Sequence, residues 1–222
     1  MKDIKLSVIV SAFNQEKYIG RCLRSLLNQS LDRDEYEIIV INDGSFDKTA
    51  YALELFNSPK EDLIKVITNK ENLGLPTSLN KGINASKGKY IVRVDSDDFV
   101  NFNFLQFLSF YLDTNPGSNA ISCDYYLISE DEKVIERMES DKDPIACGIL
   151  FRKETLIDIG LYDESFLYNE EVELRLRYLK KYSIKRLAIP LYRYRRHADN
   201  ITNDKLKMEE YKKKLIEKHN IS

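Results

Sequence analysis

Four short runs of apolar, mostly β-branched residues punctuate the first half of the chain, and amphipathic segments of helix length separate them. The runs are Leu6–Ala12, Glu37–Ile41, Leu63–Thr68 and Lys89–Val94, each short enough for a strand. Between the first two, Ile19, Leu23, Leu26 and Leu27 recur at helical spacing, and Asp47–Phe56 and Thr77–Ser86 also read as helices. Strands that are apolar throughout need cover on both faces. The pattern therefore predicts an α/β fold built on a mostly parallel sheet flanked by helices. Right-handed crossovers would bring the C-terminal strand ends to one edge. That edge would carry Phe13–Asn14, Asn42-Asp43-Gly44-Ser45 and Asp95-Ser96-Asp97-Asp98, and chemistry is expected there.

The second half follows a different pattern. Phe102–Thr114 reads as a helix stopped by the turn signal Asn115-Pro116-Gly117. Ala120–Ser129 and Lys133–Met138 suggest a hairpin, Ile149–Phe151 a strand, Lys153–Ile159 a helix, and Ile184–Tyr194 an extended segment. Another helix begins near Glu170. The last, Asp204–His219, sets Met208, Tyr211 and Leu215 on one face. No repeat or linker interrupts the 222 residues, so a single domain is expected. Its parts are two halves, 1–100 and a mixed portion at 101–203, and a basic amphipathic helix at 204–222.

Charge narrows the partners. The chain carries 34 Lys and Arg against 36 Asp and Glu, net −2, which excludes a generally basic nucleic-acid binder. From Arg175 onward, however, 15 basic residues face 5 acidic ones, a local balance of +10 that leaves −12 for the rest. Such asymmetry points to an anionic partner near the C-terminal end: phosphates, a diphosphate-carrying substrate or a membrane surface. A solvated lysine-rich helix is the simpler account of Lys205–Lys218 alone. Cys22, Cys123 and Cys147 are too scattered for a disulfide framework or a zinc site. No signal-peptide pattern or membrane-length apolar run is present. A cytoplasmic protein is expected.

Four constellations could carry chemistry. Asp95-Ser96-Asp97-Asp98 follows a strand, so Asp95 and Asp97 would project to one side. Paired carboxylates suit Mg²⁺ or Mn²⁺ bridging a substrate diphosphate, and a helix-capping turn is the competing account. Asp43 could accept from a ribose hydroxyl or a base N–H; taken alone, an Asx turn before Gly44 is the simpler reading. Glu170-Glu171-Val172-Glu173 opens a helix, where a proton-accepting role competes with the i, i+4 pairs Glu171–Arg175 and Glu173–Arg177. Tyr192-Arg193-Tyr194-Arg195-Arg196-His197 gathers guanidiniums for phosphate and an imidazole for a transition metal, or is an edge strand. His219 reads as exposed.

The order of these elements is more specific than any one of them. Ser7-Val8-Ile9-Val10-Ser11-Ala12-Phe13-Asn14, Ile41-Asn42-Asp43-Gly44-Ser45, Asn72-Leu73-Gly74, Gly88-Lys89-Tyr90-Ile91 and Asp95-Ser96-Asp97-Asp98 together resemble the inverting family 2 glycosyltransferases of GT-A fold. Glu170-Glu171-Val172-Glu173-Leu174 is similar to that family's acidic motif. Tyr194-Arg195-Arg196-His197 through Asn200-Ile201-Thr202 is similar to its C-terminal loop. The resemblance spans roughly Lys5 to Thr202. It implies a nucleotide-sugar-binding half and an acceptor-side half, with Ser11, Ala12, Phe13 and Asn14 along the nucleotide and Asp43 on base or ribose. Asn72, Gly74, Asp95 and Ser96 would join the donor site. Asp97 would ligate Mn²⁺ or Mg²⁺, with Asp95 and His197 as further ligands. Glu171, or Glu170 beside it, would be the general base.

Three departures from the family's pattern bear on these roles. Ser11 and Phe13 stand where the family usually has proline and tyrosine. Leu79 replaces a frequent basic residue before Asn80, which leaves Lys81, Arg195 or Arg196 to meet the diphosphate. Glu170-Glu171 replaces the commoner Glu-Asp. The expected activity is transfer from a nucleoside-diphosphate sugar, UDP favoured, to a hydroxyl of a glycan or lipid-linked glycan in surface polysaccharide synthesis. The rivals are a catalytically silent nucleotide-sugar-binding relative acting as a partner subunit and, further off, a sugar-phosphate nucleotidylyltransferase. The last would need a Gly-rich basic loop where Ala12-Phe13-Asn14-Gln15 stands. For the terminal helix two roles stay open, contact with an anionic leaflet or, the favoured one, docking on its own domain.

Overall fold

The computed structural model describes residues 4–56, 63–198 and 200–220. Strand β1 (Leu6–Ala12) leads to helix α1 (Ile19–Leu27), β2 (Tyr36–Asn42), α2 (Thr49–Phe56), β3 (Ile64–Thr68), α3 (Leu75–Ala85) and β4 (Tyr90–Arg93). Then come β5 (Phe99–Val100), α4 (Phe104–Thr114), β6 (Ala120–Ile128), β7 (Val134–Met138), β8 (Ile149–Arg152) and α5 (Lys153–Asp158). Helix α6 (Glu170–Leu179), the long strand β9 (Ile184–Arg195), a short 3₁₀ turn and α7 (Lys205–His219) complete the chain.

Among the described residues the strands form one sheet in the order β3-β2-β1-β4-β8-β6-β9-β5, with β7 paired to β6. The first four are parallel, as their uninterrupted apolar sequences predict. Burial shows why. Val8 and Val10 enter one core with Ile19, Leu23 and Leu26 of α1, whereas Ile9 between them enters a second core with Leu79 and Ile83 of α3. In β2, Ile38 and Val40 face the first core, and Ile39 and Ile41 the second. Strict alternation between two apolar layers is what a doubly covered strand requires.

The mixed half begins at β8, which runs antiparallel to both β4 and β6. The hairpin is β6–β7, and β9 lies parallel to β6 with register shifts around Asp124. Two residues of β5 pair with β9, Phe99 with Arg193 and Val100 with Tyr192. This ladder fastens the chain just after the Asp95–Asp98 turn to the C-terminal strand.

Helix α7 docks on the domain by the face its spacing marks. Leu215 is buried, the Tyr211 ring sits 6.1 Å from Phe166 and 5.4 Å from Tyr168, and Asn169 Nδ2 donates to the Met208 carbonyl. His219 departs from expectation. Its ring is 5% exposed and lies 3.2 Å from Glu173, a fully buried carboxylate that also receives Arg177 and Lys218. An unpaired charge at that depth would be costly, and three nitrogen donors meet it. Among the described residues no helix is long and apolar enough to cross a membrane.

Candidate active site

A cleft of about 370 Å³ opens at the C-terminal ends of β1, β2 and β4, a size suited to a small ligand. Ser11, Phe13, Asp43, Asn72, Gly74, Arg93, Asp95, Ser96 and Asp97 line one side. Leu167, Tyr168, Tyr194 and Asn200–Thr202 line the other. The sheet edge thus gathers the strand-end residues as the topology predicts.

Asp43 is held deep in this cleft. Its Oδ1 accepts from Asn69 Nδ2 at 2.7 Å and from the Leu73 N–H at 2.9 Å, while Oδ2 accepts from the Gly74 N–H at 3.0 Å. One carboxylate thereby fixes the loop before α3. Gly74, at φ 91°, caps that helix. Gly44 turns at φ 70°, and a Cβ there would run into the Glu71 backbone, so both glycines are required by the turn geometry. Asn14, itself at φ 53°, accepts from the Phe46 N–H through Oδ1 and donates its own N–H to Ser45 Oγ. It therefore braces the loop rather than lining the cleft. Phe46, which the motifs did not single out, sets its exposed ring 5.8 Å from Phe13 in an edge-on pair.

The turn after β4 is the most heavily wired part. Arg93 Nε and Nη2 grip Asp95 at 2.6 and 3.2 Å, and Nη1 donates to Glu170 at 2.9 Å. Arg93 was missed by sequence reasoning. Its one signal was a charge inside an otherwise apolar strand, which demands a buried partner. Burial pushes the Glu170 carboxyl up to about 7, with Arg93 pulling against it and Glu171 adding to the rise. Asp98 lies behind the turn, accepting from the Tyr192 hydroxyl and the Arg195 N–H. Burial drives its carboxyl well above the usual range, and Asp97 and Asp95 push the same way.

At the cleft wall, His197 Nε2 lies 2.8 Å from Asp97 Oδ2, and Asn200 Nδ2 approaches the same oxygen at 3.4 Å. The imidazole packs 4.8 Å from the Tyr18 ring, and its Nδ1 is buried with no hydrogen-bond partner. Asp95, Asp98 and Cys147 also bring ligand atoms within 4.8 Å of one another. Both Asp98 oxygens are already hydrogen-bonded, and burial holds the Cys147 thiol protonated. Asp95 is likewise gripped through both oxygens by Arg93, so the carboxylate left to meet a cation arriving from solvent is Asp97, with Asp95 beside it. Carboxylate oxygens suit Mn²⁺ or Mg²⁺, and an imidazole nitrogen beside them favours Mn²⁺.

Some expected contacts point elsewhere. The Ala12 side chain belongs to the core, since strand alternation turns it away from the cleft that Ser11 and Phe13 face. Arg195 is buried, its guanidinium committed to the Asp97 and Glu130 carbonyls and to Glu132. Lys81 donates to Asn69 Oδ1 beneath Asp43. Arg196 is the exposed guanidinium on the rim, 5.7 Å above the Tyr194 ring and 3.5 Å from Thr202. Glu171 is half-buried in a separate small hollow with Tyr162 and Arg175. Cys147 and Tyr162 are core residues, whereas Tyr168 lines the cleft.

This arrangement of fold and cleft is that of a GT-A protein, and the chain belongs to glycosyl transferase family 2, whose family model matches residues 7–190. A Haemophilus influenzae protein named as an uncharacterized glycosyltransferase is 36% identical over 173 residues, covering 78% of this chain and 48% of the relative. A Bacillus spizizenii poly(ribitol-phosphate) beta-glucosyltransferase is 37% identical over 98 residues, 44% of this chain and 15% of that one. The chain thus spans half or less of the length of these relatives. Among solved structures, Staphylococcus aureus TarS 1–349 in complex with UDP-GlcNAc superposes with a TM-score of 0.80 at 22% identity, covering 96% of this chain and 65% of that one. The mannosyltransferase PcManGT from Pyrobaculum calidifontis, in complex with GDP-Man and Mn²⁺, gives 0.77 at 16%, covering 98% and 64%.

Proposed function

We propose that this chain is the transfer domain of a metal-dependent inverting glycosyltransferase. Its donor is a nucleoside-diphosphate sugar, UDP favoured, and its acceptor a hydroxyl of a glycan or lipid-linked glycan in surface polysaccharide synthesis. The carrying observation is the meeting of Asp97, His197 and Asn200 at the wall of a cleft that also holds Asp43 and Phe13, with the Phe46 ring edge-on to Phe13 outside it. Relatives named as poly(ribitol-phosphate) transferases and the TarS complex with UDP-GlcNAc support the donor class and the polymeric acceptor. PcManGT, solved with GDP-Man and Mn²⁺, supports the metal.

The rings of Phe13 and Phe46 offer a face to the base, and Asp43 holds the loop that closes over it. Asp97, with Asp95 and His197 beside it, would hold the cation, which supplies positive charge against the leaving diphosphate. Arg196 on the rim adds a guanidinium for the same charge. The acceptor hydroxyl must lose a proton as it attacks. Glu170 is engaged by Arg93, so Glu171 is assigned the proton, its side chain rotating from its hollow toward the acceptor. Single displacement inverts the anomeric carbon. Outward lysines on α7 support a peripheral, electrostatic contact with an anionic leaflet in the cytoplasm.

The test is release of free nucleoside diphosphate from UDP-, GDP- and TDP-sugars with Mn²⁺ or Mg²⁺ and an acceptor glycan. Turnover with one nucleotide class, lost on chelation, is expected. Asp97→Ala should lose metal-dependent donor binding and turnover, and Glu171→Gln turnover alone, both with an unchanged circular dichroism spectrum. Turnover near wild type in either variant contradicts the assignment.

A further inference from the structure

A second concavity, of about 520 Å³, lies on the other side of the β5–β9 ladder from the cleft. Successive strand residues face opposite ways: Tyr194 lines the cleft, and Arg193 lines this groove. Arg21 and Arg24 of α1 and the rings of Phe99 and Phe102 complete its walls. The Arg21 guanidinium stacks 4.1 Å over Phe99, Arg193 stacks 4.5 Å over Tyr126, and Phe99 and Arg193 are cross-strand partners. The aromatic rows thus hold two guanidiniums in place in advance of any ligand.

The charges there are not balanced. Arg21 faces Glu132 at 3.2 Å. Among the described residues, Arg193 donates only to the Pro190 and Tyr192 carbonyls, and neither it nor Arg24 has a carboxylate partner. Burial without a counter-charge lowers the Arg193 guanidinium below its ordinary value. Cations gathered without anions in a concavity attract a negative ligand, and planar guanidiniums match phosphate oxygens best. Asn28 and Asn101 add polar groups at the rim.

We propose that this groove is a second anion site, separate from the donor cleft, that binds a phosphate group. Phosphate oxygens pair with Arg24 and Arg193, and the Phe99 and Phe102 rings take the carbon skeleton that carries the phosphate. The phosphate is either a free monoester-type anion or a phosphodiester within an anionic glycan chain, and the two sources differ in how many groups enter together. The site does not depend on the transfer activity, so a failed donor assay leaves it standing.

The probes are inorganic phosphate and a synthetic ribitol-phosphate oligomer, titrated calorimetrically into the intact chain with UDP as the control ligand. Arg24→Gln replaces an exposed side chain that makes no structural bond, and Arg193→Lys keeps the charge while removing the planar fork. Arg24→Gln is expected to weaken both probes about tenfold, Arg193→Lys to weaken them further, and UDP affinity to hold in both variants. Added salt should weaken both probes in the wild type. Tighter binding of the oligomer than of phosphate assigns the groove to a glycan chain, and equal binding to a free anion. Unchanged affinity for both probes in Arg24→Gln and Arg193→Lys overturns the proposal, as does equal weakening of UDP.

Discussion

A guanidinium buried between two carboxylates, as Arg93 is between Asp95 and Glu170, couples the Asp95–Asp98 turn to the first residue of α6. Breaking such a set by removing one member leaves charges buried without a partner. Arg93→Leu is therefore expected to lower stability in urea denaturation by about 3–5 kcal/mol; a loss below about 1 kcal/mol would show that the carboxylates find other partners. At this scale the sequence was legible where side chains follow from backbone position. Strand ends delivered Ser11, Phe13, Asp43, Asp95 and Asp97 to one cleft. Arg93 and Glu170 meet from opposite halves of the chain, a separation that local spacing does not encode. Arg195 read as a phosphate contact because composition shows a charge and not its partners. Its guanidinium is spent on carbonyls and Glu132.

Elements were read well where periodicity was long. Helices α1 and α3 and the first four strands emerged near their predicted limits because two apolar layers impose an unmistakable pattern. Strand β5 did not, since two residues carry no period. Its role comes entirely from pairing with β9. Strand β6 carries a testable electrostatic feature at its register shift. Asp124 is fully buried, yet accepts from Arg186 at 2.7 and 2.9 Å, from Arg137 at 2.9 Å and from the Ser140 N–H. Burial alone would raise its carboxyl, but these donors outweigh it and hold the value at about 2. A folded-state value below the unfolded one, about 3.9, gives stability that is full above pH 4 and lost as pH falls toward 2. The pH-dependent part is about 2 kcal/mol. Denaturation of wild type and Asp124→Asn between pH 7 and 2 should show the gap between them narrowing by that amount; a constant gap would contradict the pairing.

The molecule as a whole separates the cleft that holds Asp97 from the arginine groove across the β5–β9 ladder, and that division explains the sequence's charge asymmetry in part. Of the C-terminal basic residues, Lys218 is consumed by Asp163 and Glu173, Arg177 by Glu173, and Arg186 by Asp124. Arg193 and Arg196 are among those with no carboxylate partner in the described residues. Docking of Tyr211 and Leu215 leaves α7 a lysine-rich outer face on which the exposed large apolar side chains are Leu206 and Ile216. Sedimentation with anionic vesicles should accordingly be abolished near 1 M salt, where the Debye length is about 3 Å, and absent with neutral vesicles. Salt-resistant pelleting would mean insertion of an apolar face and a rearranged helix.

The proposed function stands on a metal-dependent nucleotide-sugar site built on Asp97. It is tested most directly by thermal unfolding of wild type and Asp97→Ala with UDP-, GDP- and TDP-sugars, each with and without Mn²⁺. Stabilisation by one nucleotide class is expected, requiring the metal and disappearing in the variant. No stabilisation by any donor, or the same stabilisation in Asp97→Ala, would contradict it and make a partner subunit without catalysis the better description.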